Sequence, residues 1–165
     1  MDSKPKKKPK IYDAQRSWNY ALWLLGRRGY TAQEIRNKLI KKEATPEVIE
    51  QTLARLIERK FVDDAQYAAS YIRFRKTQKG PLALRRELFR KGVVEEVVDE
   101  TLLELDEDSQ SETATELLKK NVWRFNKDDP RKNYSKAYAF LARRGFGSDV
   151  VKRAIEGSGI FKESD

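Results

Sequence analysis

Three observations predict an all-α fold built from three tandem three-helix, helix-turn-helix-like repeats in an elongated, curved array. The chain of 165 residues is 37% charged and has only eight glycines and five prolines, too few turn-formers for a sheet-rich domain. Its apolar residues recur at three-and-four spacing between helix-start signatures. The pattern also repeats. Leu39, Leu88 and Leu141 are separated by 49 and 53 residues, and each is preceded four residues earlier by Ile35, Leu84 or Ala137. Nine residues later stand Val48, Val97 and Val150, and 14 residues later Leu53, Leu102 and Ile155. Such offsets lie in the range of repeat architectures, whose units bury their apolar faces by stacking.

The elements follow in order. MDSKPKKKPK interleaves lysine and proline, so residues 1–13 read as a disordered basic arm of net charge +3, leaving +6 of the total +9 for the rest of the chain. The first repeat spans 14–62. Trp18, Ala21, Leu22 and Leu25 form one helical stripe, ended by Gly26 to Gly29. Thr31 with Glu34 is a capping box. Thr45-Pro46-Glu47 starts a third helix, because threonine accepts from free amides, proline suits the first position and glutamate suits the positive dipole end. Val48, Ile49, Leu53, Leu56 and Ile57 are its expected buried side.

The second repeat spans 63–106. Asp63 with Gln66 opens a helix expected to turn Tyr67, Ala68, Tyr71 and Phe74 or Ile72 inward. Gly80-Pro81 breaks and restarts the chain, and Leu84 and Leu88 face away from Arg86 and Arg90. After Gly92 comes an acidic stretch from Glu95 to Asp108, with Val97, Val98, Leu102 and Leu105 inward; it should face away from any polyanion. The third repeat spans 107–157, its first helix starting around Ser109 to Ser111 and carrying Ala114, Leu117, Leu118, Val122, Trp123 and Phe125. Residues 126–133 read as a loop. Tyr134, Ala137, Tyr138 and Leu141 lead to Arg143-Arg144-Gly145, and Ser148-Asp149 caps a last helix bearing Val150, Val151 and Ile155. No clear structure is expected from Gly157, and 158–165 is a tail.

Composition excludes much chemistry. With no cysteine and no histidine there is no disulfide framework, thiolate nucleophile or imidazole base or ligand. No cofactor, metal or catalytic residue is expected, and the protein is read as no enzyme. Asp63-Asp64 lacks the second acidic cluster of a two-metal site, and helix capping explains it better. No run reaches the about 18 apolar residues of a membrane span, and the N-terminus lacks a signal-peptide core, so the expectation is a cytoplasmic protein.

The candidate binding residues are basic. Between positions 73 and 91, Arg73, Arg75, Lys76, Lys79, Arg85, Arg86, Arg90 and Lys91 face a single acid, Glu87. A solvated face with a Glu87–Lys91 pair is the plainer reading. Clustered arginines favour a binding role, because the planar guanidinium fork suits phosphate and carboxylate. Arg143 and Arg144 fit either a helix end compensating its dipole or the same role, and Arg27 and Arg28 likewise. Trp18, Trp23, Trp123, Tyr71, Phe74 and Phe89 could stack on unpaired bases, but their spacing reads better as core packing.

The segments Phe61-Val62-Asp63-Asp64-Ala65-Gln66-Tyr67-Ala68, Lys79-Gly80-Pro81 with Arg85-Arg86-Glu87-Leu88 and Arg90-Lys91-Gly92-Val93, and Leu141-Ala142-Arg143-Arg144-Gly145-Phe146 resemble the RecX family of bacterial RecA regulators. The similarity runs from about Ala14 to Ile155 and is most specific in the middle unit. It implies three tandem three-helix repeats lying in the groove of RecA–DNA filaments. There they would block extension or promote disassembly, inhibiting ATP hydrolysis, strand exchange and co-protease activity. It implies RecA and single- and double-stranded DNA as partners, DNA weakly and salt-dependently, with the protein a monomer. The chain departs from the family pattern in its Lys/Pro arm, its acidic helix in the second repeat, and Glu43 where glycine is typical. A general DNA-binding helix-turn-helix-like protein is the alternative, although the helix starts Thr45-Pro46-Glu47 and Glu95-Glu96 lack base-reading side chains. An adaptor without a nucleic-acid partner is the third reading.

Overall fold

Local capping chemistry sets where each helix begins. The computed structural model describes residues 12–125 and 129–160, so the basic arm, apart from Tyr12 and Asp13, lies outside the described residues. Among the described residues there is no strand, and the α-helices are α1 (Ala14–Leu25), α2 (Ala32–Ile40), α3 (Pro46–Glu58), α4 (Asp64–Arg75), α5 (Pro81–Arg90), α6 (Glu95–Leu102), α7 (Glu107–Lys120), α8 (Pro130–Arg143) and α9 (Ser148–Ser158), with a 3₁₀ turn at Val122–Arg124. The chain divides into two compact units, residues 1–67 and 68–165.

In the first unit Asp13 accepts from the Arg16 N–H at 2.8 Å and starts α1. Thr31 and Glu34 form the expected reciprocal capping box, with bonds of 3.1 and 3.2 Å. Thr45 caps α3, with Pro46 in the first turn. Both aspartates at the start of α4 are also caps. Asp63 accepts from the Gln66 N–H, while Asp64 reaches back to the Ala32 N–H at 2.9 Å and satisfies a free amide of α2. Burial, reinforced by Asp63 and Glu34, raises the Asp64 carboxyl above its ordinary value despite that bond. Trp18, Ala21, Leu24, Ile35, Leu39, Ile49, Leu53 and Leu56 make the core of this unit.

In the second unit Ala114 and Leu118 of α7 share a core with Ala137, Phe140 and Leu141 of α8 and Val151, Ala154 and Ile155 of α9. In the middle repeat Ala68, Ile72, Leu84, Leu88, Val93 and Val98 are buried. The three register leucines, Leu39, Leu88 and Leu141, are fully buried, as are Ile35, Leu84 and Ala137.

The repeat extends to the backbone. After α2, α5 and α8 the chain turns through a left-handed residue at Glu43 (φ 62), Gly92 (φ 78) and Gly145 (φ 86). The next N–H then returns to the register leucine: Ala44 to Leu39, Val93 to Leu88 and Phe146 to Leu141, at 3.2, 3.1 and 3.3 Å. This is one helix-ending motif used at the same place in each repeat, satisfying carbonyls the helix leaves free; α3 ends the same way, with Lys60 (φ 61) and the Phe61 N–H returning to the Leu56 carbonyl at 2.9 Å. Glycine takes the conformation at no steric cost; Glu43 does not.

The structure corrects several sequence expectations. α7 starts at Glu107, before Ser109, because Asp106 caps it by accepting from the Ser109 N–H at 2.8 Å. Glu107 and Asp108 therefore sit at a positive helix start and not at the unfavourable end of α6, which stops at Leu102. α8 begins at Pro130, inside the expected loop, because Asp129 caps it and proline needs no donor in the first turn. α9 is preceded by Gly147, with no side-chain cap from Ser148, and runs on through Ser158 to a left-handed Gly159. Ile57 is exposed. Core packing also fails for most of the aromatics: Trp18 is buried, but Trp23 is 55%, Phe74 73% and Trp123 77% exposed, and Phe89 is exposed too. For Trp123 the reason is the 3₁₀ turn, whose tighter winding rotates Trp123 outward and leaves Phe125 to enter the core.

Glu43→Gly should relieve the left-handed strain and raise stability by about 1 kcal/mol, read as a higher urea midpoint at unchanged slope. Leu88→Ala should cost about 3 kcal/mol in the same measurement.

Candidate anion-binding site

Two glycines bring the basic residues of the second unit together. The Gly80 N–H donates to the Arg144 carbonyl at 2.8 Å, and the Leu82 N–H donates to the Gly145 carbonyl at 3.0 Å. A Cβ on Gly80 would lie 2.4 Å from the Gly145 oxygen, and one on Gly145 would lie 2.2 Å from the Ala83 nitrogen. No side chain fits between these backbones. The start of α5 is therefore clamped to the end of α8, and arginines distant in sequence become neighbours.

The result is a groove of about 510 Å³ lined by Gln78, Lys79, Ala83, Arg86, Glu87, Arg90, Leu117, Arg143 and Arg144. Five cations face one carboxylate there, and that carboxylate is already engaged. Glu87 takes an ion pair from Lys79 and a hydrogen bond from the Tyr71 hydroxyl at 2.7 Å. Burial opposes its charge, but the Lys79 and Tyr71 hydrogen bonds and the attraction of Lys79 and Arg75 outweigh that and hold Glu87 below the usual carboxylate range. The pair expected between Glu87 and Lys91 is replaced by these contacts, and the Lys91 ammonium lies 5.5 Å from the Tyr71 ring centroid.

The arginines divide by surroundings. Arg85 turns to α6, donating to Glu95 at 2.6 Å and Asp99 at 3.1 Å, so acids of α6 neutralise it. Arg86 bonds the Leu82 carbonyl through Nε, leaving the rest of its fork toward the groove. Among the described residues no carboxylate pairs with Arg86, Arg90, Arg143 or Arg144. The Arg144 guanidinium lies 3.8 Å from the Phe140 ring centroid, and burial, then repulsion from Arg124 and Arg143, pushes it below its ordinary value. Like charges held together without a counter-charge make this groove a candidate site for an anion. Arg73, Arg75 and Lys76, at the end of α4, are exposed and do not line the groove. Lys76 borders a separate hollow with Pro81 and Phe146.

Arg124 escaped the sequence reading. It lies 5.4 Å from the Phe140 ring and bears on Arg144. Its position between Trp123 and Phe125 was the available signal, since aromatic neighbours often hold an arginine.

Family models cover most of the chain in register with the repeats: the first, second and third three-helix domains of RecX match residues 18–56, 63–102 and 108–155. The chain belongs to the RecX family of regulatory proteins. It is 35% identical to the regulatory protein RecX of Chlorobium phaeobacteroides over 87% of this chain and 94% of that one. It is 37% identical to the regulatory protein RecX of Deinococcus radiodurans over 90% and 72%. The crystal structure of RecX from Lactobacillus salivarius superposes with a TM-score of 0.83 at 25% identity, over 90% of this chain and 97% of that one. These relatives are named as regulatory proteins, not as enzymes. Among the described residues no helix is long and apolar enough to cross a membrane.

Two outcomes test the site. Gly145→Ala should release the α5–α8 clamp, lowering the melting temperature of the second unit and abolishing anion binding, measured by calorimetry. Because the Glu87 pKa is depressed in the folded chain, its stabilising contribution is complete above the ordinary carboxylate pKa and is lost as pH falls through the lower folded value. Glu87→Gln should remove that part of the acid-side dependence in urea melts run across that range.

Proposed function

We propose that this chain is a negative regulator of the RecA recombinase, binding in the groove of the RecA–DNA filament and blocking its extension or promoting its disassembly. Inhibition of ATP hydrolysis, strand exchange and co-protease activity would follow from loss of filament. The observation that carries the reading is the groove in which Arg86, Arg90, Arg143 and Arg144 converge without a carboxylate partner. Family membership supports it, since the resemblance implies RecA as partner. A nucleoprotein filament offers phosphates and carboxylates, and guanidinium forks suit both.

Within this reading the groove, and not the whole basic stretch, makes the contact. Arg86, Arg90, Arg143 and Arg144 meet the anion, and Lys79 is occupied in holding Glu87. Arg85 instead braces α5 against α6, and its acidic partners keep that face from a polyanion. Arg73, Arg75, Lys76 and Lys91 contribute general attraction. The chain acts as a monomer in the cytoplasm.

Substoichiometric protein should slow DNA-dependent ATP hydrolysis by RecA; no inhibition rejects the reading. Arg86→Ala, Arg90→Ala and Arg143→Ala combined should weaken filament association at least tenfold with the melting temperature preserved. If about four phosphates are neutralised, affinity for DNA should fall roughly a hundredfold between about 50 and 200 mM salt, and the triple variant should flatten that slope.

A further inference from the structure

The first unit carries aromatic and cationic side chains at its surface: Trp23 is exposed, and Tyr12 and Tyr20 beside it are half-buried against the core. From Ala14 to Gln33 the chain has no acidic residue, and its charged residues there are Arg16, Arg27 and Arg28. Tyr20 and Trp23 of α1 lie nearly parallel, with centroids 5.9 Å apart and planes at 15°, and Tyr12 meets Tyr20 edge-on at 6.1 Å. Trp23 is more than half exposed, while Trp18, Ala21 and Leu24 of the same helix fill the core. Cations accompany the rings. The Arg27 guanidinium lies 4.8 Å from the Trp23 centroid, and Lys42, on the turn after α2, places its ammonium 5.1 Å from the Tyr20 centroid.

An exposed indole, backed by a half-buried tyrosine and flanked by cations, matches one kind of partner well. An unpaired nucleobase offers a π-face to an aromatic ring, and the phosphates on either side of it need cations at short range. A duplex offers the phosphates but hides the base faces. An apolar protein surface would leave Arg27 and Lys42 to be desolvated without partners. An acidic peptide would use the cations and leave the indole idle.

We propose that Tyr20, Trp23, Arg27 and Lys42 form a platform for single-stranded nucleic acid. One unpaired base stacks on the Trp23 indole and extends the Tyr20–Trp23 pair, while Arg27 and Lys42 meet the neighbouring phosphates. The platform shares no residue with the groove between α5 and α8, and it does not depend on RecA being the partner.

The test uses the full chain and two labelled probes, an oligothymidine and a mixed-sequence duplex of equal length, followed by fluorescence anisotropy. Trp23→Ala should weaken oligothymidine binding by about tenfold to a hundredfold and leave duplex binding unchanged. Trp23→Phe should retain most of the affinity, and Arg27→Ala should lower the salt slope for oligothymidine by about one. Melting curves matching the unsubstituted chain establish that the fold is intact, as the exposure of Trp23 leads one to expect. Unchanged oligothymidine binding in Trp23→Ala overturns the proposal, and so does an equal loss on both probes. If Trp23→Ala weakens association with DNA-free RecA while oligothymidine binding stands, the surface serves a protein and the platform is rejected.

Discussion

The close approach of Gly80 and Gly145 is the constraint on which the second unit depends. Two backbone hydrogen bonds cross it, and neither position has room for a β-carbon. Gly145 also carries the left-handed turn that ends α8, so one residue both stops a helix and admits the neighbouring repeat. A side chain there would meet two independent penalties, a conformational one and a steric one. The groove is the space left where α5 and α8 meet at this contact. Its arginines face one another because the backbones beneath them can touch.

Charge in this unit is sorted by packing. Arg85 and Arg86 are adjacent in sequence, yet one is neutralised by Glu95 and Asp99 and the other opens onto the groove. Consecutive residues on a helix point about 100° apart, which is enough to separate an arginine held in ion pairs from one that lines the groove. Glu87 completes the arrangement. It absorbs Lys79 and the Tyr71 hydroxyl, so the single acid in the groove does not cancel the arginines. These half-buried contacts also decide which cations stay available.

The first unit solves a different problem, with short helices held by shared caps. Thr31 and Glu34 cap each other's amides, and Asp64 supplies a further acceptor to α2 from the start of α4. Such bonds tie together the elements around a core of Trp18, Ala21, Leu24, Ile35, Leu39, Ile49, Leu53 and Leu56. That core leaves aromatic surface to spare, and the exposed Trp23 beside Tyr20 and Arg27 is its clearest instance.

Much of this was legible in the sequence because it is local. The capping box at Thr31, the Thr45-Pro46 start, the Gly80-Pro81 break and the repeated turn after Leu39, Leu88 and Leu141 each depend on residues within one or two helical turns. Local patterns failed where two elements compete for the same residues. Glu107 and Asp108 continue the acidic stretch that starts at Glu95 yet open α7, and Pro130 lies in a loop-like composition yet opens α8. They failed again for the aromatics, since three-and-four spacing says a residue shares a face and not that the face is covered; Phe74, Trp123 and Trp23 are the cost of that ambiguity. By itself the sequence determined the all-helical class, the threefold register and the excess of arginine in the middle repeat. Only the tertiary structure decided which arginines are neutralised and which converge, because that rests on a contact between Gly80 and Gly145, far apart in the chain, that no local pattern records.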